Sequence, residues 1–309
     1  MKILLLGKNG QVGRELQRSL SPLGELRTLG RREADLTNAA VLRAAVQRFR
    51  PDVIVNAAAY TAVDRAEGEE ALARSVNALA PGVLADEAQA CGAWLVHYST
   101  DYVFGNGTGS GIDGAHRETD PTGPLSVYGC TKLEGEERIR TSGARHLILR
   151  TSWVFGLQGV NFPKTILRLA KEREHLEVVA DQLGAPTNAA LLADVTSLAL
   201  QRIRLSGAKG TKFSGTYHVA ASGQTNWHAY ACHVVGQALA QGVQLKTLPE
   251  RIIPVSTTTW GAAAMRPVNS LLDTGKFRDT FDLVIPEWRS QVDRLITELV
   301  AGGNLWGKL

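Results

Sequence analysis

The sequence predicts an α/β fold, a doubly wound parallel sheet with a smaller α+β domain built mainly from the C-terminal half. Three observations carry this. Short apolar runs alternate with amphipathic stretches through the first half of the chain, a glycine-rich turn follows the first run, and the alternation fades in the second half of the 309 residues. Strands alternating with helices imply parallel pairing through right-handed crossovers. The length is long for one such unit and comfortable for one plus an added domain.

The elements follow in order. Residues 3–6 read as the first strand and 12–20 as a helix; 26–29 is the second strand. Residues 38–49 read as a helix with Leu36, Val41, Ala45 and Phe49 as its apolar positions, stopped by Pro51. The third strand is 53–55, a helix over 78–90 is closed by Gly92, and 94–98 is the fourth strand. A helix over 127–140 precedes 146–149, the candidate sixth strand. Beyond it, 162–171, 189–203, 226–240 and 288–300 look helical, while 176–179 and 215–219 look extended. Between 105 and 114 five of ten residues are glycine. Such a segment is either a mobile loop beside a site or a plain surface loop.

Composition narrows the class. Hydrophobic residues make up 44% and charged residues 21%, ordinary for a globular enzyme. The net charge of +4 is scattered, so no basic tail or patch points to nucleic acid. Cys91, Cys130 and Cys232 are far apart and outside any C-x-x-C pair, which reads as reduced thiols without a zinc site. His228 and His233 do not share a helix face, and no metal motif is present. The apolar run before Gly7 is too short for a signal-peptide core, and no stretch is long enough for a membrane span. The expectation is a cytoplasmic protein with no membrane partner.

The turn after the first strand reads Gly7-Lys8-Asn9-Gly10-Gln11-Val12-Gly13 and opens a helix. Glycines there let the backbone approach a pyrophosphate, while the helix N-terminus supplies free N–H groups and partial positive charge. This is the context of a Rossmann-type dinucleotide site. The second strand ends in Gly30-Arg31-Arg32, where an NAD site places a carboxylate for the ribose 2′-hydroxyl. Two guanidiniums clamp a 2′-phosphate instead, which favours NADPH over NADH. The alternative is that Arg31 and Arg32 are solvated loop charges. Asp35, followed by Leu36, either accepts from an adenine amino group or caps the next helix. After the third strand, Ala57, Ala58 and Ala59, followed by Tyr60 and Thr61, leave room for a flat ligand at the sheet edge.

Tyr128 and Lys132 form Tyr-x-x-x-Lys on one helix face. An ammonium beside a phenol favours the phenolate and lowers its pKa, making Tyr128 a usable acid–base near neutrality. The fourth strand ends near Ser99, Thr100 and Asp101, placing a hydroxyl at the ligand-binding edge.

Taken with the glycine loop, these residues resemble the extended short-chain dehydrogenase/reductase family. Runs at 50–64, 97–104, 150–155 and 181–187, with Arg266-Pro267 and Asn269-Ser270, are similar to its reductases of thymidine-diphosphate 4-keto-6-deoxysugars. The resemblance extends from the first strand through the C-terminal helix. It implies that NADPH, with NADH as the alternative, delivers hydride to C4 of dTDP-4-dehydro-L-rhamnose. Tyr128 would protonate the developing alkoxide, Lys132 would tune Tyr128 and hold the nicotinamide ribose, and Thr100 would bond the same oxygen. It places Val63 and Asp101 near the sugar, Trp153 against it, and Asn161, Arg266 and Asn269 at the nucleotide diphosphate. Read from the residues alone, the alternative for Trp153 is a core aromatic, over which the sugar-facing reading is preferred, and the alternative for Arg266 is a surface cation.

The implied division puts 1–153, joined by about 188–222, in the dinucleotide-binding domain. Residues 154–187 and 223–309 would bind the sugar nucleotide. Some relatives bind Mg2+ through three glutamates at a subunit contact. Glu15 and Glu298 match two of these and Ala190 replaces the third. A hard cation needs several oxygen ligands, so a monomer or weak homodimer without metal is expected. Two rival readings stand beside this one. A dehydratase or epimerase is disfavoured because Asp101 is followed by Tyr102, not by a second carboxylate. A non-catalytic NADP-binding regulatory subunit shares the fold, but retention of Thr100, Tyr128 and Lys132 argues for turnover.

Overall fold

The computed structural model describes residues 1–302. The chain runs β1 (Lys2–Leu6), α1 (Gln11–Leu20), β2 (Glu25–Leu29), α2 (Ala39–Phe49), β3 (Val53–Asn56), α3 (Ala80–Cys91), β4 (Trp94–Thr100), α4 (Val127–Thr141) and β5 (Arg145–Thr151). It continues with α5 (Phe162–Glu172), α6 (Ala189–Leu205), β6 (Gly215–His218), α7 (Trp227–Ala240) and α8 (Trp288–Ala301), with short elements between. The six strands form one parallel sheet in the order β2-β1-β3-β4-β5-β6. The order reverses between β1 and β3. In open sheets of this kind, the crevice at the strand C-termini beside that reversal is the ligand site.

The strands are near-continuous apolar runs because helices cover both faces. Alternate side chains divide between those faces. Leu5, Val55 and Val96 pack with Leu16 and Leu20 of α1 and Leu192 and Leu200 of α6. Leu4, Ile54 and Leu95 pack on the other side with Leu42 and Val46 of α2 and Leu84 of α3. A third apolar cluster joins Ile166 and Leu167 of α5, Tyr230 and Val234 of α7, and Trp288 and Ile296 of α8. Around it lie short strand pairs: Leu176–Val179 with Ile252–Val255, and Leu183–Gly184 with Thr225–Asn226.

Several expectations are corrected. The stretch proposed as a sixth strand is the fifth, pairing directly with β4. The sixth place is taken by Gly215–His218 beside β5. The helix expected from residue 78 is preceded by a π-turn, Ser75–Leu79, with Pro81 in the first turn of α3. Proline has no N–H and crowds the carbonyl four residues back, here that of Asn77, and a wider turn relieves both conflicts. Asp35 does not cap α2; Asn38 does, accepting from the Val41 N–H, while Asp35 accepts from Thr37. The glycine-rich loop is tied back by Asn269, whose Nδ2 donates to the Gly114 carbonyl at 2.8 Å. Residues 303–309, part of the second expected domain, lie outside the described residues. Among the described residues, no helix is long and apolar enough to cross a membrane.

Candidate active site

The loop between β1 and α1 is built around two close approaches. Gly7 has φ +86°, and a Cβ there would lie 2.7 Å from the Ala58 nitrogen. A Cβ on Gly13 would collide with the Gly7 carbonyl. Both positions therefore require glycine for packing and conformation. Gly10 does not: its φ is −72°, and a Cβ there would make only ordinary contacts within the chain. Its small size instead leaves space above the N-terminus of α1, which carries no side-chain cap and no acidic residue in its first turn. Free N–H groups and open space together form an anion seat.

The seat opens into a cavity of about 970 Å³ that runs past Ala57, Ala58 and Ala59 to Thr100, Tyr128 and Lys132. Ser126 caps α4 by accepting from the Gly129 N–H, which starts the helix immediately before Tyr128. The next turn carries Lys132 onto the same face. Thr100 closes β4, and its hydroxyl donates to the Asp101 carboxylate at 3.0 Å.

Electrostatics in this pocket depart from the expectation. Burial pushes the Tyr128 phenol up to about 12, with the nearby Thr100 hydroxyl pulling it down and nearby Asp101 adding to the rise. Lys132 is not what sets it. The Lys132 amine donates to the Tyr98 carbonyl at 2.6 Å and meets His97 Nε2 at 3.1 Å. Burial lowers Lys132 to about 8, with Glu136 pulling the other way.

A family model described as the RmlD substrate binding domain matches residues 1–301. The chain belongs to this family. It is 48% identical to the dTDP-4-dehydrorhamnose reductase of Salmonella typhimurium, over 97% of this chain and 98% of that one. The reductase of the same name from Burkholderia thailandensis is 46% identical, over 97% and 100%. Among solved structures, a dTDP-4-dehydrorhamnose reductase from Bacillus anthracis in complex with NADP superposes with a TM-score of 0.82. That match has 35% identity and covers 96% of this chain and 100% of that one.

Within the RmlD family fold, most of the expected residues gather at one cavity. Gly7, Asn9, Gly10, Gln11, Val12, Arg31, Asp35, Leu36 and Thr61 line the cavity with the alanines, as do Val63, Thr100, Asp101, Tyr128, Lys132 and Trp153. Gly13 acts one layer below, in packing. Arg32 lies in an adjoining cavity of about 700 Å³, which it shares with Lys8, Arg31, Glu33 and Asp35. The other three are engaged elsewhere. Asn161 caps α5 and donates to the Gly156 carbonyl, Asn269 holds the glycine loop, and Arg266 pairs with Asp64 at 2.7 Å. None of these three lines the main cavity. Glu15 and Glu298 pair with Arg18 and Arg294 of their own helices.

The sequence reading missed Trp227. Its ring stacks on Trp153 with centroids 3.7 Å apart, and both indoles line the cavity. Trp153 sits at φ +48°, a region costly for a bulky residue, and its ring lies against Gly184, where a Cβ would collide with it. The Trp153 ring borders the cavity and also packs against the C-terminal apolar cluster. Trp227 carried no signal beyond its helix because its partner is 74 residues earlier. Lys8 was also missed. It forms an ion pair with Glu33, and Glu33 in turn accepts from the Gly30 N–H, so the pair borders the same pocket as Arg31 and Arg32.

The Asp101 carboxyl gives a test of its own. It is buried, its Oδ2 has no hydrogen-bond partner, and burial pushes its pKa up to about 6 against the pull of the nearby Ser270 and Thr100 hydroxyls. An acid raised above its ordinary 3.8 contributes full stability below that pH, and the contribution is lost as pH rises through 6. The penalty at neutrality is about 3 kcal/mol. Asp101→Asn is therefore expected to gain about 2–3 kcal/mol over wild type at pH 7.5, with the gain shrinking toward pH 4.5. Urea unfolding at the two pH values checks this, and a pH-independent difference would contradict it.

Proposed function

We propose that the chain is an NADPH-dependent reductase that converts dTDP-4-dehydro-L-rhamnose to dTDP-L-rhamnose by reducing the C4 keto group. The observation that carries this is the convergence of a free helix N-terminus, the Thr100 hydroxyl and the Tyr128–Lys132 face on one cavity. The residues fit the cofactor: the anion seat at Gly10 suits its pyrophosphate, and Arg31 and Arg32 suit its 2′-phosphate. When bound, the nicotinamide supplies a hydride.

The chain's own residues supply the rest. Tyr128 gives the proton of its Oη to the alkoxide oxygen. A phenol held at about 12 is protonated at neutral pH, which is the form reduction consumes. Thr100 turns its one hydroxyl hydrogen from Asp101 to the same oxygen and stabilises its developing charge. Lys132 faces the cofactor ribose. Trp153 and Trp227 form one wall against the sugar, with Val63 and Asp101 beside it. Arg266 is kept for the diphosphate. Its fork geometry matches two phosphoryl groups, and its partner Asp64 is half-exposed and exchangeable. Asn161 and Asn269 shape this region through the helix and loop they hold. A division of the chain into a cofactor-binding part and a sugar-nucleotide part, with the boundary at Trp153, suits this assignment.

The test is direct. NADPH is mixed with enzymatically prepared dTDP-4-keto-6-deoxy-L-mannose and the purified chain. Loss of the reduced-nicotinamide absorbance with formation of dTDP-L-rhamnose is expected. Interconversion of sugars without net NADPH consumption would instead mark an epimerase or dehydratase.

Cofactor choice has its own check. Arg31 pairs with Asp35 at 3.6 Å, but both groups are exposed and the pair is weak. A phosphate can displace it. Replacing both Arg31 and Arg32 by Ala is expected to weaken NADPH binding at least about tenfold and NADH binding by less than about twofold. Fluorescence titration with each cofactor reads the difference, and an equal loss for both would remove the arginines from 2′-phosphate recognition.

A further inference from the structure

One short segment touches both tryptophans of the cavity wall. Gly184 lies under the Trp153 ring, where a Cβ would collide with it, and Gln182 bonds to Trp227. Gln182 is only 5% exposed. Its Oε1 accepts the Trp227 Nε1–H at 3.1 Å, and its Nε2 donates to Thr257 Oγ1 at 3.0 Å. Thr257 Oγ1 in turn donates to Asp181 Oδ1 at 2.6 Å, and the Thr257 N–H bonds the same carboxylate at 2.9 Å. The direction of this chain is fixed from both ends. An indole N–H is a donor only, so it must meet the amide oxygen. Partial desolvation raises the Asp181 carboxyl, but the bonds from Thr257 bring it below its ordinary range, so it is ionised at neutral pH. An ionised carboxylate only accepts. It therefore takes the Thr257 hydrogen and leaves that oxygen to accept from the amide nitrogen.

The bond to Trp227 does what stacking leaves undone. The ring plane is set by Trp153, with centroids 3.7 Å apart and an interplanar angle of 16°, and by Phe162 at 4.6 Å. Stacking fixes a plane and a spacing but tolerates rotation within that plane. The directional N–H bond decides which edge of the indole borders the cavity. We propose that Gln182 is a positioning residue for Trp227, fixing the indole edge that the sugar meets and so setting the sugar-dependent part of substrate affinity. Gln182 also ties this wall to the segment that carries Arg266. Thr257 opens the short helix Thr257–Trp260. Further along, Leu183 donates to the Val268 carbonyl and accepts from the Ser270 N–H, both at 2.8 Å. Arg266 lies between these two attachments, on its ion pair with Asp64. The wall against the sugar and the residue kept for the diphosphate thus rest on the same four residues, 181–184.

This rests on the reading of Trp153 and Trp227 as the wall against the sugar. Titration calorimetry with dTDP-L-rhamnose and with dTDP separates the sugar from the nucleotide. Gln182→Leu is expected to weaken dTDP-L-rhamnose about tenfold and dTDP by less than about twofold. Equal loss for both, or no loss, would overturn the proposal. Trp227→Phe keeps a ring for the stack and removes the N–H. Adding Gln182→Leu to it is expected to cost less than about twofold more, whereas additive losses would mean that Gln182 does not act through Trp227. A measurement on the wild type decides the matter if these variants do not fold. The Trp227 Nε1–H signal, assigned by its contacts to the Trp153 and Phe162 rings, is expected to exchange slowly with solvent because its acceptor is buried. Exchange as fast as that of a solvated indole would overturn the assignment. A wild type that binds dTDP as tightly as dTDP-L-rhamnose fails the sugar reading of the wall. A wild type that favours dTDP-L-rhamnose, with an indifferent Gln182→Leu, fails the proposal alone.

Discussion

Tyr128→Phe is expected to bind NADPH like the wild type and to turn over about 10²- to 10⁴-fold more slowly. The change removes one hydroxyl and leaves the ring, whose edge-on contact with Tyr102 at 5.5 Å is independent of it. The anion seat at Gly10 and the alanine edge lie on other elements, so cofactor affinity is insulated from the change. What disappears is the proton that the new alkoxide takes. Thr100 remains and still donates to that oxygen, so the residual rate measures hydrogen-bond stabilisation without proton transfer. Stopped-flow oxidation of NADPH under saturating sugar nucleotide isolates the step. Near-normal turnover would take Tyr128 out of the mechanism. A large loss of NADPH affinity would mean that the hydroxyl holds the cofactor and does not simply act on the substrate.

The parts of the site legible in the sequence were those with local signatures. The phosphate loop is read from seven consecutive residues, and Tyr128 and Lys132 from a spacing of four on a helix. The alternation of strands and helices gave the sheet, because strands covered on both faces must be continuously apolar. Contacts made across the fold left no such trace. Trp227 stacks on Trp153 across an interval with no periodic pattern. Lys8 reads as one residue of a glycine turn until β2 brings Glu33 and Arg31 beside it. The phenol pKa was misjudged for a related reason. Spacing shows that Lys132 shares a face with Tyr128, but not that its amine turns toward the Tyr98 carbonyl and His97. The π-turn ahead of Pro81 and the short strand pairs were too brief for either period to register. Asn161, Arg266 and Asn269 were proposed by resemblance, and here each has partners of its own.

The helix that carries the reaction centre is held by an ion pair, and breaking it from one side is expected to be the most destabilising single change considered. Glu136 follows Tyr128 and Lys132 on the same face of α4, and it is fully buried. It receives two bonds from Arg150 of β5, at 2.9 and 2.7 Å, and one from Arg140. Arg150 is only 3% exposed, and its guanidinium lies over the Phe104 ring. Burial pushes the Glu136 carboxyl up, but Arg150, with help from Ser99 and Arg140, brings the net value below its ordinary range. A depressed acid contributes stability above its unfolded pKa, and the contribution is lost as pH falls through the folded one. Glu136→Leu leaves the Arg150 charge buried without its carboxylate, a loss of about 3–5 kcal/mol. The double variant Glu136→Leu, Arg150→Met removes both charges and is expected to recover most of that loss, because the desolvation penalty goes with them. Chemical unfolding at pH 7.5 measures both, and a wild-type acid limb steeper than that of Glu136→Leu follows from the sign of the shift. A single variant within about 1 kcal/mol of wild type would mean that apolar packing, not this pair, seats the helix that carries Tyr128 and Lys132.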